Sequence, residues 1–137
     1  MKDLLGEYFK VKDMIVWKKD IWGVGYYSRP AHELAWLCHA GEPPLPKKAE
    51  SNIWEEPGIP RRGYKRLHPS EKPLALMERS VRLCCAGRQK AVILDPCAGS
   101  GTTGIAALKA GHAFIGIEAD KWHFEVMCKR ISDKTIV

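Results

Sequence analysis

With 137 residues the chain has room for one modest domain and can bury a core without disulfides. A hydrophobic share of 45% and a charged share of 28% are those of a soluble globular protein, and a net charge of +6 suits a polyanionic partner without identifying one. No apolar run approaches the length of a membrane span, and Met1 opens a mixed-charge segment rather than a signal peptide, so a cytoplasmic chain without membrane contact is expected.

Residues 1–12 read as a short helix or loose lead-in. Met14-Ile15-Val16-Trp17 predicts a strand, followed by a turn-rich stretch through Gly23 and Gly25. Residues 33–39 predict a second strand, although Leu34, Trp36 and Cys38 alternate only partly with their neighbours. Residues 41–66 combine Pro43, Pro44, Pro46, Pro57 and Pro60 with the pairs Lys47-Lys48, Arg61-Arg62 and Lys65-Arg66, a long irregular segment. From Ser70 onward the pattern is regular. Pro73 suits a first helical turn, and Leu74, Met77, Val81 and Cys84 share one helical face. Residues 91–94 form a fully apolar run, the mark of a strand buried in a parallel sheet. A helix over 102–110 stops at Gly111, and 113–117 predict another buried strand that ends at Glu118. The last helix, 121–131, is expected to point Phe124, Met127, Cys128 and Ile131 inward. Strand, loop, helix, strand, helix implies an open α/β sheet. The cysteines Cys38, Cys84, Cys85, Cys97 and Cys128 contain no CxxC pair, which favours reduced thiols over disulfides or zinc, and no metal site is expected.

The loop Asp95-Pro96-Cys97-Ala98-Gly99-Ser100-Gly101-Thr102-Thr103-Gly104 lies between a strand and a helix, where open α/β sheets bind ligands. Gly99 and Gly101 can take backbone conformations closed to other residues, and Thr102 or Thr103 can cap the helix. Gly99-x-Gly101-x-x-Gly104 also fits the dinucleotide fingerprint, with Glu118 available for a ribose. Three features oppose that fit. Four residues separate the strand from Gly99, little chain follows Glu118, and no lysine follows Gly101 to make a Walker loop. A glycine turn without ligand remains the plain alternative.

The company of the loop is more specific. His68-Pro69-Ser70-Glu71-Lys72-Pro73, a helix, Leu94-Asp95-Pro96-x-Ala98-Gly99-Ser100-Gly101-Thr102-Thr103, Ile115-Gly116-Ile117-Glu118-Ala119-Asp120 and Arg130-Ile131 follow in order. Together they resemble the DNA amino-methyltransferases of the permuted class, whose cofactor loop lies near the C-terminus. A looser match runs upstream through Ile15-Val16-Trp17-Lys18-Lys19 and Arg29-Pro30-Ala31-His32-Glu33. The resemblance implies a partial Rossmann-like α/β fold, an open and mostly parallel sheet missing its central strands, in one domain. Residues 1–40 would be later sheet strands, 41–67 a basic DNA-facing segment and 68–137 the cofactor-binding part.

By that resemblance the cofactor is S-adenosyl-L-methionine. Asp95 and the loop Ala98, Gly99, Ser100, Gly101 and Thr102 would face its methionine part. Glu118 would accept from the ribose hydroxyls, Asp120 would border the adenine, and Ser70 and Lys72 would meet the carboxylate. The bland readings are a solvated Lys72 at a helix start and Asp95 as a turn or helix cap. Cys97 stands where the family usually carries Phe, which should loosen packing near the cofactor.

The family flips its target base out of the duplex. It holds the amino nitrogen with an acid or amide, two prolines and an aromatic. In the permuted class that tetrapeptide precedes all the motifs above, and none occurs before Trp17. The near match Glu42-Pro43-Pro44-Leu45 is out of order and lacks an aromatic, so no catalytic residue is assigned. The strand ending at Asp95 should then lack its neighbours and invite another chain. A split enzyme, a dimer completing its own sheet and a degenerate remnant all fit. Lys47, Lys48, Arg61, Arg62, Lys65 and Arg66, interleaved with Trp54 and Tyr64, occupy the place of the family's DNA reader; a solvated basic loop is the bland reading. The expected function is a component of an adenine-N6 or cytosine-N4 DNA methyltransferase, binding cofactor and double-stranded DNA, inactive alone, and completed by a second subunit or copy. The alternative is a non-catalytic module that uses the fold for DNA or protein contacts.

Overall fold

In the computed structural model, residues 2–60 and 63–133 are described, and the chain divides into two compact units, Met1–Gly58 and Ile59–Val137. The first unit opens with a single helical turn, α1 (Lys2–Gly6), and then strand β1 (Lys10–Lys18). Strand β2 (His32–His39) returns antiparallel to it, from Lys18↔His32 to Lys10↔His39, with a bulge between Val11 and Asp13. The irregular segment contributes a two-residue strand, β3 (Ile53–Trp54), which lies parallel on the other edge of β1 and gives the order β2-β1-β3. Period-two burial of Ile15 and Trp17 supplies the core of this sheet, together with Trp54. Both indoles satisfy their N–H groups locally, Trp17 on the Glu56 carbonyl at 2.7 Å and Trp54 on the Ser51 carbonyl at 3.0 Å.

The second unit contains α2 (Leu74–Cys84), β4 (Val92–Asp95), α3 (Thr102–Lys109), β5 (Ala113–Gly116) and α4 (Lys121–Ser132). Strands β4 and β5 are parallel, Val92↔Ala113 through Asp95↔Gly116, and α3 makes the crossover between them. The chain is therefore a mixed α/β protein with small sheets, a partial Rossmann-like arrangement. Helices α2 and α3 pack on one face of the β4–β5 pair, where Val81, Cys85 and Ala106 are surrounded by Leu74, Met77, Ala91 and Ile93.

Three expectations need correction. The strands at 91–94 and 113–117 are apolar throughout, but only one face is covered. Val92, Leu94, Ile115 and Ile117 are between 52% and 66% exposed, because α2 and α3 lie on the side of Ile93. On α2 the inward cysteine is Cys85, just past the helix, while Cys84 is exposed. On α4 the buried residues are Met127 and Arg130, while Phe124 and Cys128 face solvent. The helix is turned so that a charged residue enters the interior. Among the described residues no helix is long and apolar enough to cross a membrane.

Candidate functional site

At Asp95 strand β4 ends and the chain turns tightly over the tip of β5. Ile117 N–H donates to the Asp95 carbonyl at 2.9 Å and Ala98 N–H to the Ile117 carbonyl at 2.9 Å, which ties the glycine loop to the neighbouring strand. The Asp95 carboxylate serves the turn itself, accepting from Cys97 N–H at 3.0 Å and from the Thr103 hydroxyl at 2.6 Å. Gly101, at φ +78°, is the N-cap of α3. Neither Thr102 nor Thr103 caps the helix, contrary to expectation, because both hydroxyls have other partners. A side chain at Gly101 would put Cβ 2.7 Å from Met127 Cγ, so the left-handed backbone and the approach of α4 both require glycine.

Glu118, just beyond β5, closes the loop from the other strand. Its carboxylate accepts from Gly99 N–H at 2.8 Å and Asp120 N–H at 2.9 Å. These two bonds, from Asp120 first and then Gly99, hold its pKa below the ordinary 4.5. Asp120 caps α4 through its side chain, which accepts from His123 N–H at 2.9 Å. His68 packs over Gly99 and meets the His123 ring edge to face at 4.3 Å between centroids. Its Nδ1 accepts from Ser70 N–H at 3.0 Å and shapes the turn that presents Ser70.

Beneath the loop lies a buried ion pair that sequence reasoning left without a role. Arg130 Nη1 stands 3.1 Å from Glu71 Oε1, with side chains 8% and 1% exposed. The same nitrogen lies 3.2 Å from the Ser100 carbonyl, 3.1 Å from Ser100 Oγ and 3.1 Å from Thr102 Oγ1. Glu71 also accepts from the Tyr64 hydroxyl at 3.1 Å and from Leu67 N–H at 2.9 Å. Burial and the adjacent carboxylate raise the Tyr64 phenol above 10.0. One network thus fixes the 64–71 segment, the glycine loop and α4 together. The readable signal was Arg130 itself, three residues after Met127 on the interior face of a helix.

Seven expected cofactor residues line one cleft of about 310 Å³: Ser70, Lys72, Asp95, Ala98, Gly99, Ser100 and Thr102. That volume is at the lower end of the roughly 300–1,000 Å³ typical of small-molecule sites. A carboxylate, a lysine and a hydroxyl converge there on a loop whose small residues leave the backbone accessible. Cys97 and Met77 complete apolar parts of the wall. Gly101 lies behind the cleft as the helix cap, and Glu118 and Asp120 reach the loop through Gly99 and the start of α4.

The basic residues are less concerted. Lys47, Lys48, Lys65 and Arg66 are exposed, while Arg61 and Arg62 lie outside the described residues. Arg66 donates to the Ile59 carbonyl at 3.0 Å and to the Pro69 carbonyl at 3.4 Å, so part of its role is local. Trp54, expected among the stacking aromatics, is only 5% exposed and belongs to the core of the first unit. Glu42 is exposed and ion-paired with Lys10, which lowers its pKa. Among the described residues no group of three His, Cys, Asp or Glu could hold a metal ion.

A family model described as DNA methylase (N6_N4_Mtase) matches residues 1–129. The type II methyltransferase M2.DpnII of Streptococcus pneumoniae is 42% identical over 64 residues, 47% of this chain and 23% of that protein. The crystal structure of an M1.HpyAVI–SAM complex superposes with a TM-score of 0.73 at 32% identity, covering 94% of this chain and 66% of the other. The cytosine-N4-specific PvuII DNA methyltransferase gives 0.74 at 17% identity, covering 99% and 56%, a likeness of fold. The chain spans about half the length of curated relatives that it matches over most of its own length, 46% of one and 52% of another.

Proposed function

We propose a function from one premise: this chain belongs to the N6/N4 DNA methylase family. It is the cofactor-holding part of a methyltransferase that acts on adenine N6 or cytosine N4 in double-stranded DNA, and it does not transfer methyl groups alone. The observation that supports this reading is the meeting of Ser70 and Lys72 with the Asp95–Thr102 loop in one cleft. S-adenosyl-L-methionine, when bound, supplies an electrophilic methyl group. The residues fit such a ligand in chemical kind. Ser70 and Lys72 are donors for a carboxylate, and Asp95 is an acceptor for an ammonium group. Glu118 keeps lone pairs for ribose hydroxyls beyond the two that its amide partners use. Lys47, Lys48, Lys65 and Arg66, with Arg61 and Arg62, supply phosphate contacts that hold DNA without reading sequence.

The bare face of β4–β5 supports the partner reading. Val92, Leu94, Ile115 and Ile117 form a contiguous apolar surface, and β4 has one paired edge among the described residues. The remaining strands and helices of a methyltransferase cover that face, brought by a complementing polypeptide or a second copy.

Calorimetric titration of the purified chain with S-adenosyl-L-methionine tests the central reading. Saturable binding is expected, weakened at least tenfold by Glu118→Ala. Undetectable binding at millimolar cofactor by a chain with native circular dichroism would overturn it.

A further inference from the structure

Beside the N-terminal ends of β4 and β5, away from the glycine loop, lies a second cleft of about 480 Å³ that shares no lining residue with the first. Two left-handed glycines shape it. Gly87, at φ +74°, turns the chain after α2 so that Arg88 N–H donates to the Cys85 carbonyl at 3.0 Å. Gly111, at φ +79°, ends α3: its N–H donates to the Leu108 carbonyl at 3.0 Å, and His112 N–H donates to the Ala107 carbonyl at 2.9 Å. That paired closure of a helix commonly sets an apolar residue where His112 stands. Here an imidazole, 9% exposed, takes the place and lines the cleft. Its Nδ1 is the one buried side-chain nitrogen or oxygen without a hydrogen-bond partner among the described residues. Such an atom is costly and rare in native folds, so it points to a group that the folded chain does not itself supply.

Charge identifies that group. Arg82, Arg88 and Lys109 line the cleft with a single carboxylate, Glu78, which is ion-paired with Lys109. Arg82 and Lys109 lie in the last turns of α2 and α3, whose negative ends amount to roughly half a charge each. Glu78 and the two helix ends together offset two of these three cations, and Lys90, in an adjoining cleft that His112 also lines, brings a fourth. The surplus of roughly two positive charges matches a phosphate dianion better than a carboxylate. The floor is apolar, with Cys85 and Ala106 8% and 0% exposed. Burial raises the Cys85 thiol above its ordinary 9.0 and the Arg88 charge works against that rise, which sets the cation close to the floor. An apolar floor under a cationic rim suits a ring joined to a phosphate, and the volume suits a ligand of nucleotide size.

We infer that this cleft is a second ligand site, for a free organic phosphate of nucleotide size, with Arg88 at the phosphate and the His112 ring turned to bond the ligand. Calorimetric titration of the full chain with uridine monophosphate tests it; a pyrimidine is used because an adenine probe would also suit the proposed cofactor cleft. Saturable binding is expected, and uridine, which lacks the phosphate, should bind at least about tenfold more weakly. Arg88→Gln should weaken uridine monophosphate by at least about tenfold as well, through loss of a charge-assisted bond. His112→Leu should also weaken it, yet unfold at the same or a higher urea concentration, since leucine suits the helix closure and leaves no unpaired nitrogen. A role confined to structure would instead lower that midpoint. The Nδ1 nitrogen resonance of His112 should move on saturation, as its hydrogen bond forms. No saturable binding at millimolar ligand, by a chain with native circular dichroism, overturns the proposal. Affinity undiminished in both variants does so too. Displacement of the probe by S-adenosyl-L-methionine would place it in the first cleft and overturn the second site. Displacement by duplex DNA would give the phosphate to a nucleic-acid backbone and overturn the assignment to a free ligand.

Discussion

Glu118 carries the clearest charge-dependent behaviour. Its folded-state pKa lies below the ordinary 4.5, because two backbone N–H groups favour the carboxylate. A depressed carboxyl pKa gives a contribution that is complete above pH 4.5 and is lost as pH falls through the lower folded value. Cofactor affinity should therefore be insensitive to Glu118 titration between pH 5 and 8, and Glu118→Gln should weaken binding throughout that range. Titrations at stepped pH check this, and a loss centred near neutrality would move the dependence to another group. Arg130 gives a stability prediction at the same scale. Truncation by Arg130→Met leaves the Glu71 carboxylate buried beside a phenol and one amide, at a cost of about 3–5 kcal/mol. Combining it with Glu71→Met should cost less than the two changes summed, because the pair acts as one unit. Urea unfolding of the four proteins measures this, and additivity would show that the two charges are not coupled.

Element by element, much of this arrangement was legible. The strand-loop-helix order and the stop at Gly111 located α3, and apolar runs located β4 and β5, because local rules decide those features. The grouping of Ser70 and Lys72 with Asp95 came from the order of motifs, since nothing in periodicity brings 70 beside 95. The facing of α4 was not legible. Phe124 and Cys128 are apolar, yet the helix turns Met127 and Arg130 inward to reach Ser100 and Glu71. Nor did an apolar run reveal its covering, since hydrophobicity marks what a strand needs in the finished sheet and not what this chain supplies. Leu94→Ser with Ile115→Thr should accordingly change the urea midpoint of the isolated chain little, within about 0.5 kcal/mol as for surface positions. It should also abolish assembly with a completing polypeptide. A loss above about 2 kcal/mol would show that the chain buries this face by itself in solution.

At the scale of the whole molecule, the proposed function assigns this chain the cofactor and leaves the catalytic group to a partner. Attack by a ring-conjugated amino nitrogen needs a polar partner and alignment, and loss of one preorganised donor costs about a hundredfold to a thousandfold in rate. On the proposed function, a tritiated-methyl assay on mixed-sequence DNA should find no turnover with this chain, and turnover on adding a polypeptide that carries an acid or amide followed by two prolines and an aromatic. Turnover by the chain alone that disappears in Glu42→Ala would place catalysis in Glu42-Pro43-Pro44-Leu45 instead. The Glu71–Arg130 pair adds a consequence for inheritance. The two residues lie in different segments, one before the cofactor loop and one after it, yet neither is tolerable without the other. Chimeras joined between α2 and α4 from one parent that carries the pair and one that lacks it should therefore fail to fold. Among relatives that differ at the pair, recombination would be confined to junctions that keep acid and base on the same parental stretch.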